Sequence, residues 1–475
     1  MSFEKWPIWL AAGTIFYVTW VWGGLRSAWL SPALWAAGVL LGIVLIAPFR
    51  GARRPRANGE QRGGGVAWWR DPFFYCGAIF LGYLAIQWWN AGRVQFYDIG
   101  LARWRYSPPR HSAWPSAVMR GEAVQMLQWF FPAWALALTV RAPLADRRAL
   151  HGFLSFLAYS AGLLALFGLV LFATGTPSMY WLASVDHEFF ASFGYSNHAA
   201  AYFVLMGALS FGLLFREIFQ PNRPIRRRRV ITLLATALLC LTGANLSLSR
   251  AGVILAWALA CFATLYACVR GWKLLPPAAW VNLAAAGAGA VGVFFFAVAG
   301  LGDTAIRKQF TPPAANRSAI SPLLDKVNLS LGHRPQFASA AISMWKDNPF
   351  YGVGGWGYKY FIADYLPPSQ WDLLAKSGWA NVHCDPLQFL VEFGLIGFGL
   401  MLVALAPLTA AALRCGARAD PLWAMGLAGL TLVGVFSFID LPFRCPGIQY
   451  AWIVVLAALP RVGIPSQCGP LASPR

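Results

Sequence analysis

HCDPLQFLVEFGLIGFGLMLVALAPLTAAAL, residues 383–413, decides how the rest of the chain is read. Asp385 is a good N-cap and Pro386 suits the first helical position, so a helix is expected to start there. From Pro386 to Leu413 the only charge is Glu392. A run of this kind is longer than the roughly 20 residues that cross a bilayer as a helix. Similar runs recur from end to end and place helices near 6–24, 29–48, 72–89, 122–141, 152–174, 197–215, 230–248, 251–270, 279–300, 385–413, 422–440 and 447–463. The fold class expected is an all-α membrane protein with about a dozen spans.

Composition agrees. The chain has 475 residues, of which 58% are hydrophobic and only 12% charged, with a mean hydropathy of +0.54. A soluble chain of this length needs far more charge. The formal charge of +20 raises the question of nucleic acid. Its placement answers it: much of the charge sits in short connections such as Arg53-Arg54-Pro55-Arg56 and Arg226-Arg227-Arg228-Arg229. Those are positive-inside signals, and no nucleic-acid partner is expected.

With a cytoplasmic amino terminus, the connections at 49–71, 141–150, 216–229, 270–274 and 414–421 fall inside, and all bear Arg or Lys. The connection at 175–196 has none and falls outside. The outer connection at 90–121 is the exception, with Arg93, Arg103, Arg105, Arg110 and Arg120. The first apolar run lacks a small-residue cleavage site and reads as a retained helix. Three regions follow: 1–300 with helices one to nine, 301–382 as a large outer loop, and 383–475 with helices ten to twelve and a short cytoplasmic tail.

A connection as long as 301–382 is rarely idle. Within it Arg334 to Trp345 has apolar residues at helical spacing, Asn348-Pro349 stops that helix, and GVGGWGYKYF (352–361) is a glycine-rich turn leading into aromatics. Trp345, Trp356, Trp371 and Trp379 in this cap suit stacking on sugar rings, as they suit an interfacial aromatic belt.

His383 precedes a helix N-terminus, whose partial positive charge favours a neutral imidazole able to accept a proton; the alternative is an interfacial anchor. Arg250, in the LSLSRAG turn on the outer side, opposes the positive-inside trend. It reads equally as a bidentate phosphate ligand or as an arginine snorkelling to headgroups. Arg334 opens the amphipathic segment, either facing a diphosphate or simply solvated. Asp186-His187-Glu188 reads as a hydrated loop rather than a cation site, because adjacent side chains point apart. His111 and His333 read as surface residues. Asp303, Asp325, Asp364 and Asp372 lack metal-ligand spacing, and no metal or other cofactor is expected. Cysteines inside apolar runs behave as small hydrophobes, while Cys384 and Cys445 both fall on the outer side, where the sequence leaves open whether they pair. The absence of GxxxxGK[ST], HExxH and GxSxG argues against an ATP-driven pump subunit, a zinc protease and a serine hydrolase.

Four segments in order resemble the O-antigen ligase and polymerase superfamily of bacterial membrane glycosyltransferases. SFGYSNHAAAYF (192–203) resembles its segment ending in an Asn before a small-residue helix, and LSLSRAG (246–252) its Ser-Arg-Gly/Ala turn. RPQFASAAISMWKDNPFYGVGGWGYKYF (334–361) resembles the Arg, amphipathic helix, Asn-Pro and GxG succession. HCDPLQFLVEFGLIGFG (383–399) resembles the signature His-x-x-x-Leu-Gln-x-x-x-Glu-x-Gly-x-x-Gly. The resemblance covers roughly residues 190–440.

It implies a GT-C-like bundle in the bacterial inner membrane, with a large periplasmic loop between helices nine and ten and a site facing the periplasm. It also implies transfer of a polyprenyl-diphosphate-linked glycan to an acceptor hydroxyl on a glycolipid or glycan, without nucleotide sugar or metal. Polymerases and protein O-oligosaccharyltransferases share the donor and differ in acceptor. A non-catalytic exporter would show a polar stripe across several helices, which this sequence lacks. By match to the motifs, His383 takes the catalytic position, Arg250 the diphosphate position and Asn197 the substrate-binding position. Family ligases often carry an Arg shortly before that Asn, whereas this chain reads DHEFFASFGYSN. Two readings of that departure stand open: another cation such as Arg334, Arg103 or Arg105 completes the site, or this chain handles a different donor or acceptor.

Overall fold

A computed structural model of the chain describes residues 5–25, 27–51, 66–92, 95–100, 103–143, 146–176, 178–180, 183–184, 189–219, 225–274, 334–371, 381–414 and 420–462, with isolated positions between 276 and 292. Its main helices are α1 (Trp6–Trp20), α2 (Ser31–Gly51), α3 (Pro72–Trp89), α4 (Arg120–Arg141), α5 (Arg147–Ala173), α6 (Ser196–Phe219), α7 (Arg227–Leu246) and α8 (Arg250–Leu274). They continue with α9 (Arg334–Asp347), α10 (Asp385–Arg414), α11 (Pro421–Phe436) and α12 (Pro446–Val462). Among the described residues, α4, α5, α6, α7, α8 and α10 are long and apolar enough to cross a membrane, and α2, α11 and α12 carry shorter apolar stretches. The fold is that of an all-α membrane protein. Two small hairpins, β1 (Gln95–Asp98) with β2 (Arg103–Tyr106) and β3 (Ser178–Met179) with β4 (Ala183–Ser184), are confined to connections. The helix expected at 279–300 and the Asp186-His187-Glu188 stretch lie outside the described residues.

The centre of the bundle is α6, packed by α5, α7, α8 and α11. A helix apolar all round must be buried, and α6 is buried along its spanning length. Small residues let its neighbours approach. A Cβ added at Gly429 of α11 would sit 2.6 Å from the Ala208 methyl, and one at Gly252 of α8 would collide with Ala200. The outward face of α8 shows the opposite pattern, with Phe262, Leu265, Val269 and Trp272 exposed at helical spacing. Such a stripe belongs against lipid.

The ends of the bundle differ chemically. At one end Arg141 grips Asp71 through Nε and Nη2 at 2.6 and 2.8 Å, Arg461 donates to the Ala142 carbonyl at 2.8 Å, and Arg216 lies 3.8 Å from Asp420. The other end gathers the connections after α1, α3, α5, α7 and α11 together with α9. Arg250 is the first residue of α8 rather than part of the turn before it; Ser249 caps that helix by accepting the Gly252 amide at 3.0 Å.

The expected α10 is not one straight helix. At Gly394 the backbone turns to φ +62°, ψ −175°, a conformation open essentially to glycine. The break releases carbonyls and amides that would otherwise bond along the helix, and the glycine-rich stretch after α9 takes them up. Val353 N donates to Val391 O (3.0 Å) and Gly354 N to Glu392 O (2.8 Å). In return Leu395 N donates to Pro349 O (2.8 Å) and Ile396 N to Phe350 O (3.1 Å). Tyr83 of α3 closes the junction, its hydroxyl reaching Phe393 O at 2.7 Å and Tyr351 O at 3.0 Å. Two motifs far apart in sequence are thus one structural unit.

Candidate active site

Asp440 is the centre of the site end. α11 ends at Phe436, earlier than the expected 440, because the chain turns there: Asp440 N returns to Phe436 O at 3.0 Å. This puts the carboxylate off the helix and inward, with its side chain 2% exposed. Oδ1 accepts the Leu441 amide at 2.8 Å and faces His383 Nδ1 at 3.8 Å. Oδ2 accepts from the Tyr195 hydroxyl (3.1 Å), from Arg334 Nη2 (3.3 Å) and from the Asn197 amide. Burial pushes the Asp440 carboxyl up, but the facing His383, Arg334 and the Leu441 amide outweigh it and hold it below the usual range. Burial and the adjacent Asp440 push the Tyr195 phenol up, so it remains a donor.

His383 is placed by its neighbours rather than by its own preference. Its φ is +56°, in the left-handed region that a non-glycine residue adopts only when its surroundings impose it. On one side, Val382 N donates to Gln388 Oε1 (2.8 Å), and Gln388 Nε2 donates to Glu392 Oε1 (2.7 Å). On the other, Asp385 N donates to Ser437 O at 2.8 Å. Asp385 does not cap α10 with its side chain as expected. Its Oδ2 accepts Phe443 N at 2.8 Å, because the α11–α12 connection lies against it. Below, Glu392 is ion-paired with the buried Arg444, whose guanidinium lies over the Trp356 ring at 4.5 Å and the Phe389 ring at 5.3 Å. The spacing Gln388 to Glu392 is one helical turn, which lets the two side chains bond on one face.

Arg334 opens α9 and is bound rather than simply solvated: Nη1 donates to Ile439 O at 2.6 Å, and its side chain is 34% exposed. It therefore shares Asp440 Oδ2 with Asn197. Arg105 does not join this group among the described contacts; it pairs with Asp98 across the β1–β2 hairpin at 3.4 Å. Arg103 pairs in register with Asp98 through the backbone, and its side chain lies outside the described residues. Arg250 is exposed and makes no ion pair among the described residues. Its helix is positioned by Gly252 against Ala200, one turn into α6 from Asn197, so Arg250 lies at the same end of the bundle. Cys384 and Cys445 do not pair. Both thiols are free, and the buried Cys445 donates to Gly23 O at 3.2 Å. His111 is exposed, as expected, and His333 lies outside the described residues.

Asp440 and Tyr195 were not among the residues the sequence singled out. Asp440 ends an apolar run and reads as the last residue of a helix. Its signal is the succession Asp440-Leu-Pro442-Phe-Arg444, two opposite charges around a Pro at a helix end. Among the described residues no three His, Cys, Asp or Glu side chains converge as a metal site would require.

An apolar bundle with an imidazole, a carboxylate and an arginine gathered at one end defines a polytopic membrane protein with a polar site at its surface. Residues 235–402 match the family model described as O-antigen ligase, a stretch of about a third of the chain that runs from α7 into α10. That segment is similar to the O-antigen ligase family. The match includes Arg250, Arg334, His383, Gln388 and Glu392, and leaves Asn197 and Asp440 outside it. No curated protein matches the chain at a significant level.

Proposed function

We propose that the protein is an O-antigen ligase-type glycosyltransferase, moving a glycan from a polyprenyl diphosphate to an acceptor hydroxyl on a lipid A core or similar glycolipid. The reaction takes place at the periplasmic face of the bacterial inner membrane. One observation carries the reading: His383 and Arg334, from two separate family motifs, converge on the Asp440 carboxylate that also holds Asn197.

In a single displacement the acceptor oxygen attacks the anomeric carbon of the donor as the bond to the diphosphate breaks. His383 takes the acceptor proton through Nε2. Asp440, facing Nδ1, holds the tautomer with Nδ1 protonated and stabilises the imidazolium that forms. The 3.8 Å separation closes to a hydrogen bond when the ring is charged. Arg250 receives the departing diphosphate, and Arg334 supplies the second cation in place of the arginine missing before Asn197. Charge stabilisation by these groups does what a divalent ion does elsewhere, so no metal is required. Tyr195 and Asn197 orient Asp440.

The test is transfer in proteoliposomes containing the protein, a polyprenyl-diphosphate glycan and a core glycolipid. Glycan appearing on the glycolipid supports the ligase reading. Elongation on the carrier with none on the glycolipid would replace it by a polymerase.

A further inference from the structure

The connection between α3 and α4 carries several arginines on the end of the bundle where the charge pattern calls for few. Two of them are placed alike. Arg110 lies over the Trp89 ring at 5.4 Å, and Arg120 over the Trp88 ring at 5.1 Å. Trp89 also stacks on His111 (5.4 Å, 17°), and Trp114 leans on both, at 5.8 and 5.7 Å. Trp88, Trp89, Arg110, His111 and Trp114 are exposed. Among the described residues no carboxylate meets either guanidinium; Glu122, two residues beyond Arg120, is taken by Lys359 at 2.7 Å and Tyr360 at 2.5 Å.

The surface is built rather than loose. Asn90, fully buried, donates to the carbonyls of His111 (2.8 Å), Trp114 (3.2 Å) and Pro115 (3.2 Å) and accepts His111 N at 2.9 Å. Its place against the membrane selects the ligand. Tyr75, Ile79, Ile86 and Trp89 are exposed along one stripe of α3, the face that lipid tails cover. Trp89 ends that stripe, which sets the arginines at headgroup level.

We propose that Trp88, Trp89, Arg110, His111, Trp114 and Arg120 form a binding site for the phosphate headgroup of an anionic phospholipid in the leaflet at the site end of the bundle. The guanidiniums bind the phosphate, and the indoles, suited to the interface, flank the glycerol. This site does not depend on the glycan-transfer reading.

Native mass spectrometry of the intact, detergent-purified protein, titrated with phosphatidylglycerol and phosphatidylcholine of equal acyl chains, tests it. The wild type should retain phosphatidylglycerol preferentially. Arg110→Gln with Arg120→Gln should weaken it about tenfold or more and leave phosphatidylcholine unchanged, since one basic side chain near the surface contributes about fivefold. Arg110→Glu, at an exposed position, should lose the preference alone with Tm retained. No lipid preference in the wild type, or unchanged phosphatidylglycerol binding in both variants, overturns the proposal. Displacement of phosphatidylglycerol by millimolar inorganic phosphate would overturn it in favour of a free-anion site; persistence of the lipid supports it.

Discussion

His383 Nδ1 and Asp440 Oδ1 face each other across 3.8 Å, and Asp440 is held in that place by Leu441 N, Tyr195, Asn197 and Arg334. A carboxylate with this many donors is ionised, oriented and nearly enclosed. Such a group beside a histidine sets its tautomer and steadies its charge.

Asp440→Asn keeps the shape and removes the charge. Since a general base contributes about 10²–10⁴-fold, loss of its partner should lower kcat at least about tenfold with KM little changed. Unaltered kcat would remove Asp440 from the mechanism. The carboxyl titrates below its ordinary range, so its contribution is intact above about pH 4 and fades only as pH falls through the lowered folded value. A decline in transfer between about pH 5 and 7 therefore reports another group.

Residue 250 separates charge from geometry. A guanidinium donates two parallel hydrogen bonds to phosphate, while an ammonium keeps the charge without the fork. Arg250→Lys should keep part of the donor affinity and lose rate, and Arg250→Ala should lose both. A charge-assisted hydrogen bond is worth roughly 1.5–3 kcal/mol, hence about a ten- to hundredfold drop in kcat/KM. EDTA should change neither variant nor wild type; collapse in EDTA with recovery in magnesium would assign the leaving-group role to a cation instead.

Gly394→Ala tests the junction rather than the chemistry. The conformation at 394 costs an L-residue about 1–3 kcal/mol, before counting the collision of a new Cβ with the Phe350 carbonyl. A lower Tm and easier proteolysis of the 334–371 cap should follow. A fully stable Gly394→Ala protein would mean the helix can run straight. Glu392→Gln should be similarly damaging, because it leaves buried Arg444 unpaired at a cost of about 3–5 kcal/mol, whereas replacing both partners with apolar residues should cost less.

Sidedness has its own test. Ser369 and Ile225 are exposed at opposite ends of the bundle. In a background without native cysteines, Ser369→Cys should react with an impermeant thiol reagent in intact cells and Ile225→Cys should not. The reverse pattern would put the site on the cytoplasmic face.

Much of this was legible in the sequence because membranes impose a length and a polarity on helices. The ends of α3, α4, α10 and α12 fall within a few residues of where the apolar runs placed them. The α9 helix and its stop at Asn348-Pro349 were visible for the same reason. The break at Gly394 was not, since glycine inside an apolar run reads as ordinary helix, and its partners Val353 and Gly354 lie in another segment. Asp440 was hidden because the turn after Phe436 depends on where Asp385 and α12 sit. The role of Gln388 and Glu392 beneath His383 likewise emerges only once the Arg444 side chain is in place.

The role of His383 as proton acceptor is read from glycan transfer by His383→Ala in proteoliposomes supplied with lipid-linked donor and core glycolipid. The substitution removes a side chain that is 27% exposed at the surface, so insertion and Tm should be retained. A fall in kcat of at least about a hundredfold is expected, the lower end of what a general base supplies. Transfer near the wild-type rate by a correctly inserted His383→Ala protein would contradict it.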